Sequence, residues 1–570
     1  MRSRLGRLRL WPRPELGLEI VLTILVWGLF AADRGLFQDD IAIHGHVALV
    51  GSPWRRFFGV SLRTTRWLQG WPSAISLLTP APRLVQQLEY GLMWLAIAVL
   101  ARWLARQLFP DERLVGFFAG ALTATACSDY LTNSLVASTY QLSIVFFLLA
   151  CFLFGRSLDG AHAWTRVGMA IVLLASLLTM DAGFAALLVV PPLFAARGAA
   201  RSSLVRSSQI WYATSLLYYG LFVAVLLSGH SYVAGAIRPM TTMQRLANLW
   251  DLTSLNFAPW RWASTSLPSD LVPPILLGSH FRLLVVALGL LALLLCLWWC
   301  ARVAQRAPSP PPSPRLLPSR WWTVMAMALV VTAACNVIFV SAPAAETHYR
   351  TQLMSRVWAS ILIAGLSARL VGRTRAWAVV GVALVSAFVG YGLLAGIERQ
   401  DYFLSFWQRH RVELASLIQQ TPGLSGDAQL VLRRPIGIPY VATHVPYLAE
   451  AWLIVLMHPA PRSPVLWVPG GGFECQLVGS ELECIGPRGP VRTPLAALVV
   501  LEYGPDGRYA LRRTLPAEWL PGAPESVLAG YAPERWLRPE VAPDLSNEML
   551  GGAPTPRLFG ATFLQLSHAD

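Results

Sequence analysis

Two adjacent carboxylates follow the first apolar stretch of the chain. Asp39 and Asp40 lie among apolar residues, between Phe37 and Ile41. A carboxylate in such a setting is costly to desolvate and is suited to accept a proton from a hydroxyl group. A solvated pair that caps a helix beginning near Ile41 would look the same in sequence. The pair is therefore a candidate general base, with helix capping as the alternative.

Two further aspartates lie beside apolar stretches. Asp129 follows the third stretch, and Asp181 separates two short ones at membrane depth. An acidic residue inside a membrane is a functional candidate by default, but each could instead be a loop residue or a helix cap. His44 and His46 lie near the Asp pair, and His with carboxylate would suit zinc or manganese. Their spacing is not diagnostic, and we predict no bound metal ion.

The composition indicates a membrane protein. Of 570 residues, 55% are hydrophobic and 14% are charged, and the mean hydropathy is +0.49. A soluble domain carries about 25% charged residues. The net charge of +15 does not indicate a nucleic-acid partner, because residues 1–396 hold 32 Arg and 14 acidic residues, whereas residues 397–570 hold 14 and 17. Every basic residue is arginine, which suggests a bacterial chain from a GC-rich genome.

The apolar stretches predict about eleven membrane-spanning helices. They are expected near residues 16–32, 84–106, 113–128, 139–156, 166–180, 183–197, 209–228, 283–301, 321–341, 354–371 and 376–396. The first could also be mistaken for a signal peptide, but an uncleaved helix is expected because the rest of the chain is polytopic.

Arginine-rich connections predict the orientation of these helices. Such connections lie at 197–206, 302–320 and 369–375. With the N-terminus inside, all three face the cytoplasm, as the positive-inside rule requires. An odd number of spans then places residues 397–570 on the outer side. The expected location is the bacterial inner (cytoplasmic) membrane, in the cell envelope.

The predicted domains follow from this orientation. They are a basic cytoplasmic N-terminus at 1–15, a transmembrane domain at 16–396 and an extracytoplasmic soluble domain at 397–570. Within the transmembrane domain we expect large outer loops at 33–83 and 229–280 and a Pro-rich cytoplasmic linker at 302–320.

The C-terminal domain is expected to be a small α/β or α+β unit. A helix is predicted over 401–420, followed by strands at Ala428–Leu432, Val465–Val468 and Ala497–Tyr503. The last strand leads to Asp506-Gly507, which is a good hairpin turn.

A second predicted hairpin concerns two cysteines. Gly479-Ser480 could form a turn that brings Cys475 and Cys484 together. A disulfide, which we favour over a reduced pair, would place the domain in an oxidising compartment. This agrees with the predicted outer location.

A first span followed by Phe37, Asp39, Asp40 and a later Ile resembles the GT-C superfamily of membrane glycosyltransferases, most closely its protein O-mannosyltransferase-like branch. Weaker similarities are the segments 63–67, 176–181 and 346–350. In the second of these, members often carry Thr-Lys-Glu where this chain has Thr179-Met180-Asp181, so the pattern is not kept. The resemblance covers most of residues 15–400 and implies an α-helical polytopic fold with a small extracytoplasmic domain.

The resemblance also implies a reaction. In that family a carboxylate of the first outer loop is the catalytic base, so Asp39 or Asp40, with Asp40 preferred, would deprotonate an acceptor hydroxyl. The hydroxyl would attack the anomeric carbon with inversion while a polyprenyl phosphate leaves. Asp129 would be a second acidic residue of the active site. The expected partners are a polyprenyl-phosphate sugar, a glycan, lipid or protein acceptor, and membrane lipids, with no cofactor.

A phosphate leaving group calls for fixed positive charge, and arginine matches it with a fork of donors. The candidates are Arg66, Arg350 and Arg356, with His348 as an added donor and Tyr349 beside it. Each arginine could instead snorkel or bind a lipid headgroup. Asp181 completes the predicted substrate-binding set.

Two other function classes remain open from the sequence. A transporter or flippase of lipid-linked glycans would favour internal repeats and charged, broken helices at mid-membrane, and Asp181 is its main support. A non-enzymatic membrane scaffold would use the C-terminal domain to bind a partner. Neither explains why the unusual polar residues collect on one predicted face.

Overall fold

The computed structural model describes the helical part of the chain and part of the C-terminal domain. The described residues are 14–28, 66–79, 82–128, 138–159, 163–180, 186–198, 200–227, 240–264, 289, 318–340, 352–421, 423–424, 428–434, 465–469, 475–486, 489–515 and 530–538.

Apolar helices dominate the described residues. They are α1 (Pro14–Thr23), α2 (Trp71–Leu77), α3 (Pro82–Leu108), α4 (Arg113–Thr125), α5 (Ser138–Leu158), α6 (Ala163–Thr179), α7 (Ala186–Ala196), α8 (Arg201–Leu227), α9 (Thr242–Leu255), α10 (Arg261–Ser264), α11 (Pro318–Ala334), α12 (Gln352–Val371) and α13 (Arg375–Gln420). A π-helical turn, Ile24–Gly28, continues α1.

Helices occupy the predicted spans wherever the structure describes them. In the described part of the chain, four helices are long and apolar enough to cross a membrane: Leu84–Leu108, Ser138–Leu158, Gln352–Val371 and Ala376–Gln400. Shorter apolar helices lie at other predicted spans, at Arg113–Thr125, Ala163–Thr179, Ala186–Ala196 and Arg320–Ala334. The span near 283–301 lies almost wholly outside the described residues. A total of about eleven crossings stays a prediction.

Helix α3 packs against both α4 and α5. Aromatic side chains fill the space around it, and Trp27, Tyr90 and Trp94 form a stack in which successive ring centroids are 5.1 and 6.4 Å apart. All three side chains are buried. This stack joins the turn after α1 to the middle of α3.

Helix α13 approaches α1 and α4 closely because it carries glycines at positions four apart. A Cβ atom at Gly396 would lie 2.7 Å from Cγ1 of Val26, and one at Gly392 would overlap the carbonyl oxygen of Thr125. Small residues at this spacing let helix backbones approach within a membrane. Gly396 therefore lets α13 pack against the π-helical turn after α1, and Gly392 lets it pack against the end of α4.

The same helix continues past the predicted end of the transmembrane domain. We expected a span at 376–396 and a separate helix at 401–420, whereas α13 is continuous over 46 residues. At 1.5 Å per residue such a helix is roughly 70 Å long, more than twice the hydrocarbon thickness of a bilayer. It therefore joins the apolar bundle to the C-terminal sheets.

The C-terminal strands are β1 (Gly423–Leu424), β2 (Gln429–Arg434), β3 (Val465–Pro469), β4 (Cys475–Val478), β5 (Glu481–Gly486), β6 (Gly489–Pro494), β7 (Leu498–Tyr503), β8 (Tyr509–Leu511) and β9 (Leu537–Arg538). The largest sheet has the order β3-β2-β7-β8, with β2 parallel to both β3 and β7. Strands β4, β5 and β6 form an antiparallel sheet, and β1 pairs with β9. The predicted strands are confirmed.

The central strand β7 is buried along its whole length, in agreement with its apolar residues 498–501, and its buried Glu502 pairs with Arg433 of β2. One of its faces joins the large core cluster that also holds Leu417 of α13, and the other packs near Leu482 and Tyr531. The backbone amide of Tyr509 donates to Ser416 Oγ at 2.8 Å. The sheet is therefore seated on the last turns of α13.

Both predicted hairpins are present. Strands β4 and β5 are joined by Gly479-Ser480, and Gly479 has a positive φ of 66°. Cys475 and Cys484 are direct partners in the strand pairing. Strands β7 and β8 are joined through Asp506-Gly507, and Gly507 has a φ of 78°.

Candidate functional site

Several helices begin or end together at one end of the bundle, which we call the site end. Here α4 and α6 finish at Thr125 and Thr179, and α5 and α12 begin at Ser138 and Gln352. Helix α2 also lies here and contacts α3 and α5. Every segment that carries a predicted site residue joins a described helix at this end.

The described part of the predicted first outer loop, residues 66–79, is bonded to α5 and α6 at the site end. The backbone amide of Leu68 donates to the carbonyl oxygen of Leu178 at 2.9 Å. The hydroxyl of Thr139, at the start of α5, donates to the carbonyl oxygen of Gln69 at 3.0 Å. Arg66 is half-buried two residues before Leu68. Asp181 follows directly on Met180, the last described residue after α6.

Buried hydroxyl groups join α5 to α6 just below this contact. Ser143 Oγ donates to the carbonyl oxygen of Ser176 at 3.0 Å, and Ser176 Oγ donates to the carbonyl oxygen of Ser143 at 2.8 Å. Such reciprocal bonds satisfy polar groups inside an apolar bundle. They fix the register of the two helices whose connection leads away from the site end.

A second polar group joins α4, α9 and α12. Ser128 Oγ donates to Asn256 Oδ1 at 3.2 Å, and Asn256 Nδ2 donates to Gln352 Oε1 at 2.6 Å and to Ser355 Oγ at 3.1 Å. All four side chains are buried. Asp129 is the next residue after Ser128, and Arg350 lies two residues before Gln352. The polar group therefore connects two segments that carry predicted site residues.

Arg356 lies one turn further into α12 and is 1% exposed. Its Nη1 donates to the carbonyl oxygen of Ala126 at 3.0 Å, and its guanidinium carbon lies 4.0 Å from the centroid of the Trp94 ring. Trp94 Nε1 donates to the carbonyl oxygen of Ala124 at 2.9 Å. Within the described residues, Arg356 holds the end of α4 in place and faces protein rather than lipid.

The opposite end of the bundle carries ion pairs of a different kind. Arg106 Nη2 lies 2.5 Å from Glu15 Oε1, and Arg102 lies 3.4 Å from both Glu15 and Glu19. Gly120 of α4 leaves the space that this cluster fills, because a Cβ there would overlap the Glu19 carboxylate. The cluster binds α1 to α3 and is far along both helices from the site end.

The predicted site residues are only partly within the described structure. Arg66 and Arg356 are described and lie at the site end. The others lie outside the described residues: Asp39, Asp40, Asp129, Asp181, His348, Tyr349 and Arg350. In the described part of the chain, no three His, Cys, Asp or Glu side chains form a group that could hold a metal ion. His44 and His46 fall outside that part.

Sequence reasoning missed Ser128, Asn256 and Gln352. The signal that could have found them is a run of uncharged polar residues in the last or first turn of otherwise apolar helices. Gln86 and Gln141 show the same pattern near the starts of α3 and α5, and both are buried. Polar side chains that are costly to bury thus collect at the site end.

Comparisons with known proteins leave the family of the chain open. No protein-family model and no curated protein sequence matches it. Archaeal oligosaccharyltransferase AglB from Archaeoglobus fulgidus, solved with an inhibitory peptide and a dolichol-phosphate, is 10% identical with a TM-score of 0.38, over 74% of this chain and 62% of that one. The apo Archaeoglobus fulgidus oligosaccharyltransferase is 11% identical with a TM-score of 0.40, over 81% and 64%. This chain spans less than two thirds of either structure's length.

Proposed function

We propose that the chain is a membrane glycosyltransferase of the GT-C type. It moves a sugar from a polyprenyl-phosphate-linked donor to an acceptor hydroxyl at the outer face of the membrane. The observation that carries the proposal is the Asp39-Asp40 pair directly beyond the first helix. The proposal is supported by two contacts at the site end: Leu68, two residues after Arg66, bonds Leu178 near the end of α6, and Asn256 joins Ser128 to Gln352.

In the proposed reaction a carboxylate acts as the general base and arginine side chains bind the leaving phosphate. Asp40, or Asp39 beside it, takes the proton of the acceptor hydroxyl as its oxygen attacks the anomeric carbon. The bond from that carbon to the phosphate oxygen breaks, the electron pair leaves with the phosphate, and the anomeric configuration inverts. Arg66 and Arg350, with His348 and Tyr349, stabilise the negative charge of the leaving phosphate.

The sequence suggests that Arg356 binds the leaving phosphate, but in this proposal Arg356 supports neighbouring residues instead. Because its Nη1 bonds to Ala126 and its ring contact is with Trp94, it supports the residues just before Asp129. Its positive charge also contributes to the potential at the site end, where a phosphate would be bound. Asp129 is proposed as the second acidic residue of the active site, and Asp181 as a substrate-binding residue.

The test is transfer by the purified full chain in lipid vesicles. Radiolabelled polyprenyl-phosphate sugars are supplied with an extract of envelope lipids and glycans, and nucleotide sugars serve as matched control donors. We expect label to move from the lipid to an acceptor when the donor is a polyprenyl-phosphate sugar, and not when it is a nucleotide sugar. Label that crosses the bilayer while still attached to its lipid would contradict the proposal and favour a flippase.

A further inference from the structure

Asn256 occupies a position from which one side chain reaches two other parts of the chain. It is the residue that follows the last turn of α9 and is 2% exposed. Its Oδ1 accepts a hydrogen bond from Ser128, 128 positions earlier, and its Nδ2 donates to Gln352, 96 positions later. Local structure does not require either bond.

Further hydrogen bonds join Gln352, Ser355 and Asn256 to one another. Ser355 Oγ accepts from Asn256 Nδ2 at 3.1 Å and donates to Gln352 Oε1 at 2.9 Å. Gln352 and Ser355 are fully buried, and Ser128 is 1% exposed. A buried polar group that loses its partner keeps its full desolvation cost, so each of these side chains depends on the others.

The residue type at position 256 is the feature that makes the group possible. An amide offers an acceptor on one atom and two donors on the other, so it can accept from a serine and donate to a glutamine at once. An ionised Asp would have no donor for Gln352. An apolar residue could neither donate nor accept a hydrogen bond. Asn256 also bonds its own helix through the carbonyl oxygen of Leu252 at 3.3 Å.

We infer that Asn256 is a positioning residue that holds Ser128, which precedes Asp129, and Gln352, which follows the 346–350 segment, at a fixed separation. The inference rests on the proposed function for the roles of Asp129 and Arg350. The Ser128 bond fixes the residues just after α4, and the Gln352 bond fixes the first turn of α12. Loss of Asn256 then releases both, without removing a group that touches substrate.

Hydrogen–deuterium exchange of the full chain in lipid nanodiscs tests the inference without any substrate. In Asn256→Ala we expect the amides of 126–128 and 352–358 to exchange about tenfold faster than in wild type, as loss of about 1.4 kcal/mol from hydrogen bonds implies. In Ser128→Ala the increase is confined to 126–128. In Gln352→Leu it is confined to 352–358.

Asn336→Ala is the matched control. Asn336 is also a fully buried asparagine, and it bonds Thr253 Oγ1 and the carbonyl oxygen of Thr332, both at 3.3 Å, but neither Ser128 nor Gln352. We expect exchange in both test segments to stay at the wild-type rate. Unchanged exchange in Asn256→Ala, or an equal increase over all helices in Asn256→Ala and Asn336→Ala, would overturn the inference.

A transfer assay separates this inference from the proposed function. If wild type transfers sugar, Asn256→Ala should lower kcat per folded molecule about tenfold and change the donor KM less than about twofold, because misplaced groups slow the reaction more than they weaken binding. Asn336→Ala should keep the wild-type kcat. If wild type transfers no sugar while the exchange pattern holds, the proposed function fails and the positioning role stands. A kcat unchanged in Asn256→Ala would refute the role of the group in the reaction.

Discussion

At the scale of single residues, the buried Arg356 is a main contact of the site end. Arg356 contacts the Trp94 ring and the carbonyl oxygen of Ala126. Arg356→Ala removes both contacts and leaves a cavity, so it should lower the free energy of unfolding by roughly 2–4 kcal/mol. Arg373→Ala, at an exposed arginine of the opposite end, should change it by less than about 0.5 kcal/mol. Thermal unfolding in detergent measures both, and equal melting temperatures for the two variants would contradict the structural role.

The sequence predicted the charged candidates of the site but not its buried, uncharged polar residues. The charged candidates were found because a carboxylate or arginine beside an apolar stretch is costly and stands out. Ser128, Asn256 and Gln352 were not found, because each is an ordinary uncharged residue whose importance comes from partners about a hundred positions away. A contact of that range depends on how α4, α9 and α12 pack, and no local pattern encodes it.

At the scale of secondary-structure elements, the packing of α13 against its neighbours depends on glycines. Gly392→Ala and Gly396→Ala place a methyl group against Thr125 and Val26, so each should lower stability by about 1–3 kcal/mol. Gly390→Ala on the same helix is the matched control, because a Cβ there meets nothing within 4 Å. Its expected effect is neutral or slightly stabilising. Thermal unfolding is again the measurement, and a Gly390 variant that is as unstable as the other two would contradict this packing.

The helices themselves were largely predictable, because a membrane span needs an apolar stretch of defined length. The continuity of α13 was not. We expected a boundary where hydropathy falls after residue 396, but no Gly or Pro lies between Gly396 and Thr421, so nothing in the backbone ends the helix there. A fall in hydropathy marks the edge of a membrane and does not by itself mark the end of a helix.

At the scale of the whole molecule, the predicted orientation places the C-terminal domain on the outer side of the membrane. Strand pairing places Cys475 opposite Cys484, within the range of backbone separations that a disulfide accepts. We expect both thiols to resist alkylation in protein isolated from membranes until a reductant is added. Mass spectrometry of the peptides from this hairpin measures the protection. Full alkylation without reductant would contradict the bridge and weaken the predicted orientation.

The most direct test of the central claim is sugar transfer by Asp40→Asn, measured beside Asp39→Asn and the control Asp506→Asn in the C-terminal hairpin turn. Each variant is first shown to be folded by its melting temperature. We predict that transfer falls by a factor of about 100 or more in Asp40→Asn or Asp39→Asn, as loss of a general base implies, and stays at the wild-type rate in Asp506→Asn. Wild-type transfer in both variants of the Asp39–Asp40 pair would contradict the account.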